Sequence, residues 1–403
     1  MRNLPFILFG VSLTAHSGTL DSCAGLPLAR AKTAAHFCVG IVATGFKAPR
    51  AVLPLADGDL IVADMGNWEA NKGRLWRLHR QNDRYTGVLI ADKLDRPNSL
   101  ALGPDGMVYF TLAGRVARFD PRLAKPAIVD VIGGAATIPA LPSRGRHILS
   151  GLTFNNENDL FVSVGSASDH CETEDGAQPK PGICMEGDGP QALATIRKYA
   201  MRWPGGTVTS SQTWASGLRN SMAMAVDPSS GKLWQADNAC DSIQLAMPGL
   251  ANDNELPHDE LNLIEPGKHY GWPYCYDANL ASPEYPGQRC SAYRAPKRLF
   301  PAHAAPLGML FYRGGGFPAR YKNSLVVTYH GYRQHGHRIV ALLPDRAGNP
   351  LGRSVDLVTG ARLKGSVGVA APVGIAQAPN GDLYFADDHA RAIFTLHYIP
   401  PAQ

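Results

Sequence analysis

At 403 residues the chain exceeds one average domain, yet a closed all-β architecture can use that length as a single unit. Hydrophobic residues at 45% against 18% charged permit a large core and exclude global disorder, while 42 glycines and 31 prolines favour turns and short strands over helices. The net charge of +5 comes from scattered Lys and Arg with no basic block, so nucleic-acid binding has no support.

The chain begins with one Arg, an apolar stretch from Leu4 to Ala15, and then small and polar residues. That order predicts an export signal over residues 1–23, too short to span a membrane, with no transmembrane segment left after its removal. Leu20 to Cys23 has the outline of a lipoprotein cleavage site, with Asp21 departing from it, so a lipid anchor on Cys23 is one alternative. Periplasmic or outer-membrane-associated residence is expected. Seven cysteines suit an oxidising compartment. Cys171 and Cys184, and Cys275 and Cys290, each bracket a Pro/Gly-rich loop and are expected to pair. If Cys23 is removed or lipidated, Cys38 and Cys240 are left as a third pair; spacing alone does not fix connectivity, since six cysteines allow about 15 pairings. No C-x-x-C or C-x-x-C-H occurs, which leaves zinc knuckles and attached haem unsupported.

From residue 37 to 400 one phrase recurs: a turn, then an alternating apolar strand. It reads ADGDLIVAD at Ala56, GPDGMVYFT at Gly103, NENDLFVSV at Asn156, PSSGKLWQA at Pro228, ARYKNSLVVTY at Ala319 and PNGDLYFAD at Pro379. Asp-Gly and Asn-Gly bends followed by alternating polarity suit hairpins. Six such copies predict a six-bladed β-propeller with inserted loops and no domain boundary. The widest gap, between the fourth and fifth copies, holds a D-E-L-N segment that is expected to form a loop. A second phrase precedes the copies (PRAVLPL, RPNSLAL, ILSGLTF, LRNSMAMAV, APLGMLF, APVGIAQ) and is assigned to the innermost strand of each blade. Its first residues, Arg50, Arg96, Asn98, His147, Arg219 and Asn220, should then cluster at one mouth of the central channel. Val39–Thr44 should pair with Ile393–Tyr398 to close the ring.

The stretch from Asn254 to Tyr276 contains D-E-L-N-x-I-x-x-G-x-x-Y-G-W-P-x-C. It resembles the glucose/sorbosone dehydrogenase family, enzymes that oxidise sugars with pyrroloquinoline quinone (PQQ) and calcium. The resemblance implies a catalytic base at His147, which stands five residues before Leu152 as the family's histidine does. A neutral imidazole can take a hydroxyl proton while hydride leaves the same carbon. A histidine at a strand start can also serve only as a hydrogen-bonding group, so its setting among the motifs carries the assignment. Gly217-Leu-Arg219-Asn220 is similar to the family's G-x-R-N cofactor motif, with the guanidinium stabilising charge on the quinone oxygens. The resemblance further implies a calcium held by backbone carbonyls at Ala239 and Cys240, and a second calcium site at Glu260 with the backbone of Tyr270 and Tyr276. Trp272 is expected to pack against the sheet. His303, His330 and Arg333 lie in segments similar to the family's H-x-A-P-L-G and H-G regions, and Arg333 suits a PQQ carboxylate.

Two positions depart from the pattern. Ala371 stands where relatives carry an Arg, a change expected to weaken PQQ binding by about 2 kcal/mol, and Ser150 replaces another Arg. The implied function is an exported PQQ- and calcium-dependent oxidoreductase acting on a small sugar and passing electrons to an external acceptor, as a monomer or homodimer. Two alternatives share the fold: a propeller that binds carbohydrate or protein without turnover, and a calcium-dependent lactonase.

Overall fold

The computed structural model describes residues 22–172, 184–360 and 368–401. Apart from Ser22 and Cys23, the expected export signal lies outside the described residues. Six sheets, antiparallel except where Lys268–His269 joins blade 3 in parallel, make six blades, and short 3₁₀ turns, loops and two small hairpins connect or flank them among the described residues. All six copies of the turn-and-strand phrase become the second strand of a blade: Leu60–Asp64, Val108–Leu112, Leu160–Val164, Leu233–Asp237, Leu325–Tyr329 and Leu383–Asp387. Each is buried from end to end, because neighbouring blades cover both of its faces.

The second phrase supplies the innermost strands as expected: Pro49–Pro54, Leu100–Leu102, Leu152–Phe154, Ala223–Val226, Pro306–Phe311 and Pro372–Gln377. These neighbour one another in chain order around the ring. Two glycines explain how closely they approach. A Cβ at Gly151 would stand 2.2 Å from the Met222 carbonyl oxygen, and one at Gly308 would stand 2.3 Å from that of Val373. The ring closes where Ala392–Tyr398 pairs antiparallel with Phe37–Thr44, removing two open edges.

Two expectations need correction. His258–Ile264, the D-E-L-N segment, is no loop; it is the third strand of blade 4, hydrogen-bonded to Leu233–Asp237 on one side and Arg298–Ala302 on the other. Asp259 and Asn262 are buried in it and His258 and Glu260 half-buried, so the sequence lacks the polar–apolar alternation of a half-exposed strand. The third disulfide is Cys23–Cys38, alongside Cys171–Cys184 and Cys275–Cys290, and Cys240 keeps a free thiol. Ser22–Cys23 and Leu26–Pro27 form a small hairpin against the closing strand, which brings Cys23 rather than Cys240 to Cys38.

Candidate active site: an open cavity beside an enclosed acidic pocket

The second strands of blades 1, 4 and 6 end in Asp64, Asp237 and Asp387, and each carboxylate bonds backbone that leads into its blade's inner strand. Asp64 accepts N–H bonds from Lys47 and Ala48, Asp237 from Arg219 and Asn220, and Asp387 from Ala370 and Ala371. One buried carboxylate per blade thereby fixes the segment that presents side chains at the channel mouth. Asp259 works between blades, accepting from Ala239 N and Ala305 N.

These supports frame a cavity of about 1880 Å³, its open mouth included. His147, Arg219, Asn220, His330, Arg333, Arg50, His303 and Ala239 all line it, so the imidazole at 147 and the guanidinium at 219 share one site. Arg96 is elsewhere, paired with its neighbour Asp95 at 2.6 Å. Asn98 lies on the central channel beneath, where it accepts from Arg50 Nε at 3.2 Å.

His147 has a defined tautomer. Ser166 Oγ donates to the Ser168 carbonyl at 2.7 Å, so it accepts from His147 Nδ1–H at 2.8 Å. Nε2 is then unprotonated. Burial holds the imidazole well below its usual pKa, and the positive charges of Arg219 and Arg146 push the same way. Arg219 is itself buried, with Nε and Nη2 on Asp169 Oδ1 at 2.9 and 2.7 Å and Nη1 on the Asn238 carbonyl at 3.0 Å. Arg146 pairs with the other oxygen of Asp169.

The remaining cations also carry partners. Arg333 holds Asp253 at 2.6 and 3.1 Å, and Arg50 holds Asp388 at 2.7 Å. His330 Nε2 lies 3.0 Å from the second Asp388 oxygen; burial depresses its pKa. His303 Nδ1 lies 3.4 Å from Asp241, and that contact draws the Asp241 carboxyl down to about 2. His335 and His337 do not line the cavity. Ala371 is buried, its N–H on Asp387, and Ser150 contributes its carbonyl to Asn98 and Thr111.

Arg219 and Ala239 also line a smaller, more enclosed pocket with Asp237, Cys240, Glu260, Tyr270, Tyr276 and Asp277. Cys240 lines this pocket and not the open cavity, so the five residues assigned to two calcium sites gather at one. Burial raises Asp237 to about 6 and Asp259 to about 7, and pushes Glu260 well above the usual carboxylate range, with Asp237, Asp277 and Asp259 adding repulsion. Asp237 is saturated by donors, whereas Glu260 receives only Asn262 Nδ2, at 3.2 Å. A half-buried carboxylate with one donor and acidic neighbours fits a hard, oxygen-seeking divalent cation. The open cavity fits a flat polyanion in size and in its four lining guanidiniums, and the buried Asn238 Oδ1 has no hydrogen-bond partner.

Trp272 packs as expected among Cys184 and Ala194, donating Nε1–H to the Asp169 carbonyl, and takes no place in the cavity. The aromatic groups there are Trp68, Tyr332 and His389, which sequence reasoning did not single out. It also missed Asp169, Asp241 and Asp388. The repeats held a signal for several of these. Residues just past the second strands, Met65 to Trp68, Asn238 and Ala239, His330 to Arg333, and Asp388 and His389, all line the cavity.

The glucose/sorbosone dehydrogenase family profile matches residues 113–393. A pyrroloquinoline quinone-dependent sugar dehydrogenase of Hypocrea jecorina is 23% identical over 412 residues, covering 88% of this chain and 86% of its own. Aldose sugar dehydrogenase YliI of Escherichia coli is 25% identical over 183 residues, covering 44% and 43%. Against three of the curated relatives the chain spans under half of their length, at 48%, 43% and 40%. A solved Trichoderma reesei carbohydrate-active enzyme of family AA12 shares the fold, with a TM-score of 0.72 at 20% identity over 93% of this chain and 98% of that one. With most of its length matched by one profile, the chain belongs to the glucose/sorbosone dehydrogenase family.

Proposed function

We propose that the protein is an exported sugar dehydrogenase that uses PQQ and calcium, oxidises a sugar carbinol, and passes the electrons to an external acceptor. The observation that carries this reading is His147, an imidazole whose Ser166 contact leaves Nε2 bare and whose surroundings keep it neutral, in the cavity that holds Arg219 and Asn220. Nε2 takes the hydroxyl proton as the C–H hydride leaves, and Ser166 keeps the ring oriented through both protonation states. Arg219, Asn220, His330 and Arg333 would hold PQQ, and Glu260, with Tyr270, Ala239 and Cys240, would hold calcium. When bound, PQQ supplies the two-electron acceptor and calcium a fixed positive charge.

Arg219 cannot turn away from the site, because Asp169 and the Asn238 carbonyl fix both sides of its fork. Export is supported by the three disulfides, which need an oxidising compartment. Titration with PQQ and CaCl2, followed by dye reduction with a panel of aldoses, tests the reading. Saturable PQQ binding with aldose-dependent reduction is expected.

One observation favours a second reading, a propeller that binds without turnover. Ala371 brings no cation, and Arg50, Arg219 and Arg333 already carry carboxylate partners. Failure to bind PQQ would select that reading, and lactone hydrolysis without quinone would select a lactonase.

A further inference from the structure

A second cleft, of about 530 Å³, lies between blades 4 and 5, within the roughly 300–1,000 Å³ of a small-molecule site. Its floor is Phe300 from the last strand of blade 4 with Tyr329, Val340 and Leu342 from the second and third strands of blade 5. All four belong to the packed core, and the Phe300 and Tyr329 rings meet at 5.3 Å. None of the residues that would hold PQQ or calcium lines this cleft, and neither does His147.

Two polar groups here lack the partners the fold gives to most others. The Tyr329 side chain is only 4% exposed, yet among the described residues its hydroxyl has no hydrogen-bond partner. Buried polar groups rarely go unmatched, so this one is aimed at something the cleft admits. Burial pushes the phenol's pKa up, against the pull of the Arg298 charge, so the hydroxyl keeps its proton and donates. Arg298, half-buried on the wall, donates Nη1–H to the Gly352 carbonyl at 2.8 Å and meets no carboxylate among the described residues. That bond leaves the edge formed by Nε and Nη2, whose two parallel N–H groups match the two oxygens of a carboxylate. Arg219 uses this same edge on Asp169.

The other charges of the cleft are matched within the protein. Arg338 reaches Asp356 and the Gln334 carbonyl, both at 3.2 Å, and Glu255 bonds Gln334 and lies 3.6 Å from His335. Asp356 and Glu255 keep the wall from being strongly positive, which favours a singly charged ligand over a phosphate dianion. We propose that this cleft binds a small organic monocarboxylate, its head on the free edge of Arg298 and the Tyr329 hydroxyl, its carbon body on the floor from Phe300 to Leu342. The inference is independent of the dehydrogenase reading, since no group it uses lines the open cavity.

Calorimetry on the purified protein tests it with benzoate and gluconate, which share the head group, and with inorganic phosphate and uncharged benzamide as controls. One acid or both should bind saturably with Kd below about 1 mM, at least tenfold more tightly than either control. Benzoate preferred would assign the site to aromatic acids and gluconate preferred to sugar acids, and either supports the proposal. Arg298→Gln should weaken that binding tenfold or more. Tyr329→Phe should weaken it about threefold to tenfold and leave the urea midpoint unchanged, because its hydroxyl bonds nothing in the fold. Absence of saturable binding for both acids, phosphate binding as tight as theirs, or an affinity that Tyr329→Phe leaves unchanged would overturn the proposal.

Discussion

The enclosed pocket beside Glu260 and the open cavity beside His147 share Arg219 and Ala239 as a common wall, yet their charges are arranged in opposite ways. In the pocket, burial raises Asp237 to about 6 against the pull of its donors and of Arg219, and burial with the repulsion of Asp237, Asp277 and Asp259 pushes Glu260 well above the usual range. In the cavity nearly every cation has its own carboxylate, as in Arg219 with Asp169, Arg333 with Asp253, and Arg50 with Asp388. The pocket is unbalanced until an ion enters, while the cavity is balanced before anything enters.

The largest expected effect breaks the cavity alone. His147→Ala should cut kcat about 10²- to 10⁴-fold while PQQ affinity, read by equilibrium titration, changes little. Next comes the shared wall. Arg219→Ala leaves Asp169 buried without its main partner and should cost about 3–5 kcal/mol in urea unfolding.

Calcium sharpens the pocket side. At a hundred times its Kd it should stabilise by about 2.7 kcal/mol, and Glu260→Gln should abolish that gain in a calcium-dependent melting series. The pH sign follows from the raised acids. Asp237 and Asp259 sit above their ordinary 3.8, so their contribution is fully present below about that pH and is lost as pH rises through about 6 and about 7. The metal-free protein should lose stability between about pH 4 and 7, and calcium should restore more of it at pH 8 than at pH 4.

The smallest effect concerns the base. His147 is depressed below 6.5, so the acid limb of kcat/KM should lie below that pH. Arg146→Gln removes one of the depressing charges and should move the limb upward by less than about one pH unit, and by less still at high salt, since Arg146 is half exposed.

Strand identity was legible because it is local. Each copy of the repeat carries its own turn residues and alternation, and all six became second strands. His147, Arg219 and Asn220 were legible because motif spacing ties them to an inner strand. The partners were not, since Asp169 reaches Arg219, Asp388 reaches Arg50 and His330, and Tyr332 reaches His389 across blades. The D-E-L-N segment misled for a related reason, because a strand covered on both faces has no need to alternate. Cys23 found Cys38 through a short hairpin that spacing does not encode.

The pairing of Phe37–Thr44 with Ala392–Tyr398 sets the order of assembly. During synthesis Phe37–Thr44 must wait for its ring-closing partner until Ala392–Tyr398 has been made. Blades 1 to 5 can each form their first four strands from nearby chain, and only blade 6 borrows a main strand from the far end. The reacting centre, which draws on blades 1, 3, 4, 5 and 6, comes into existence only when that final strand docks. A nascent chain of this design therefore lacks the closed cavity until Tyr398 has been made.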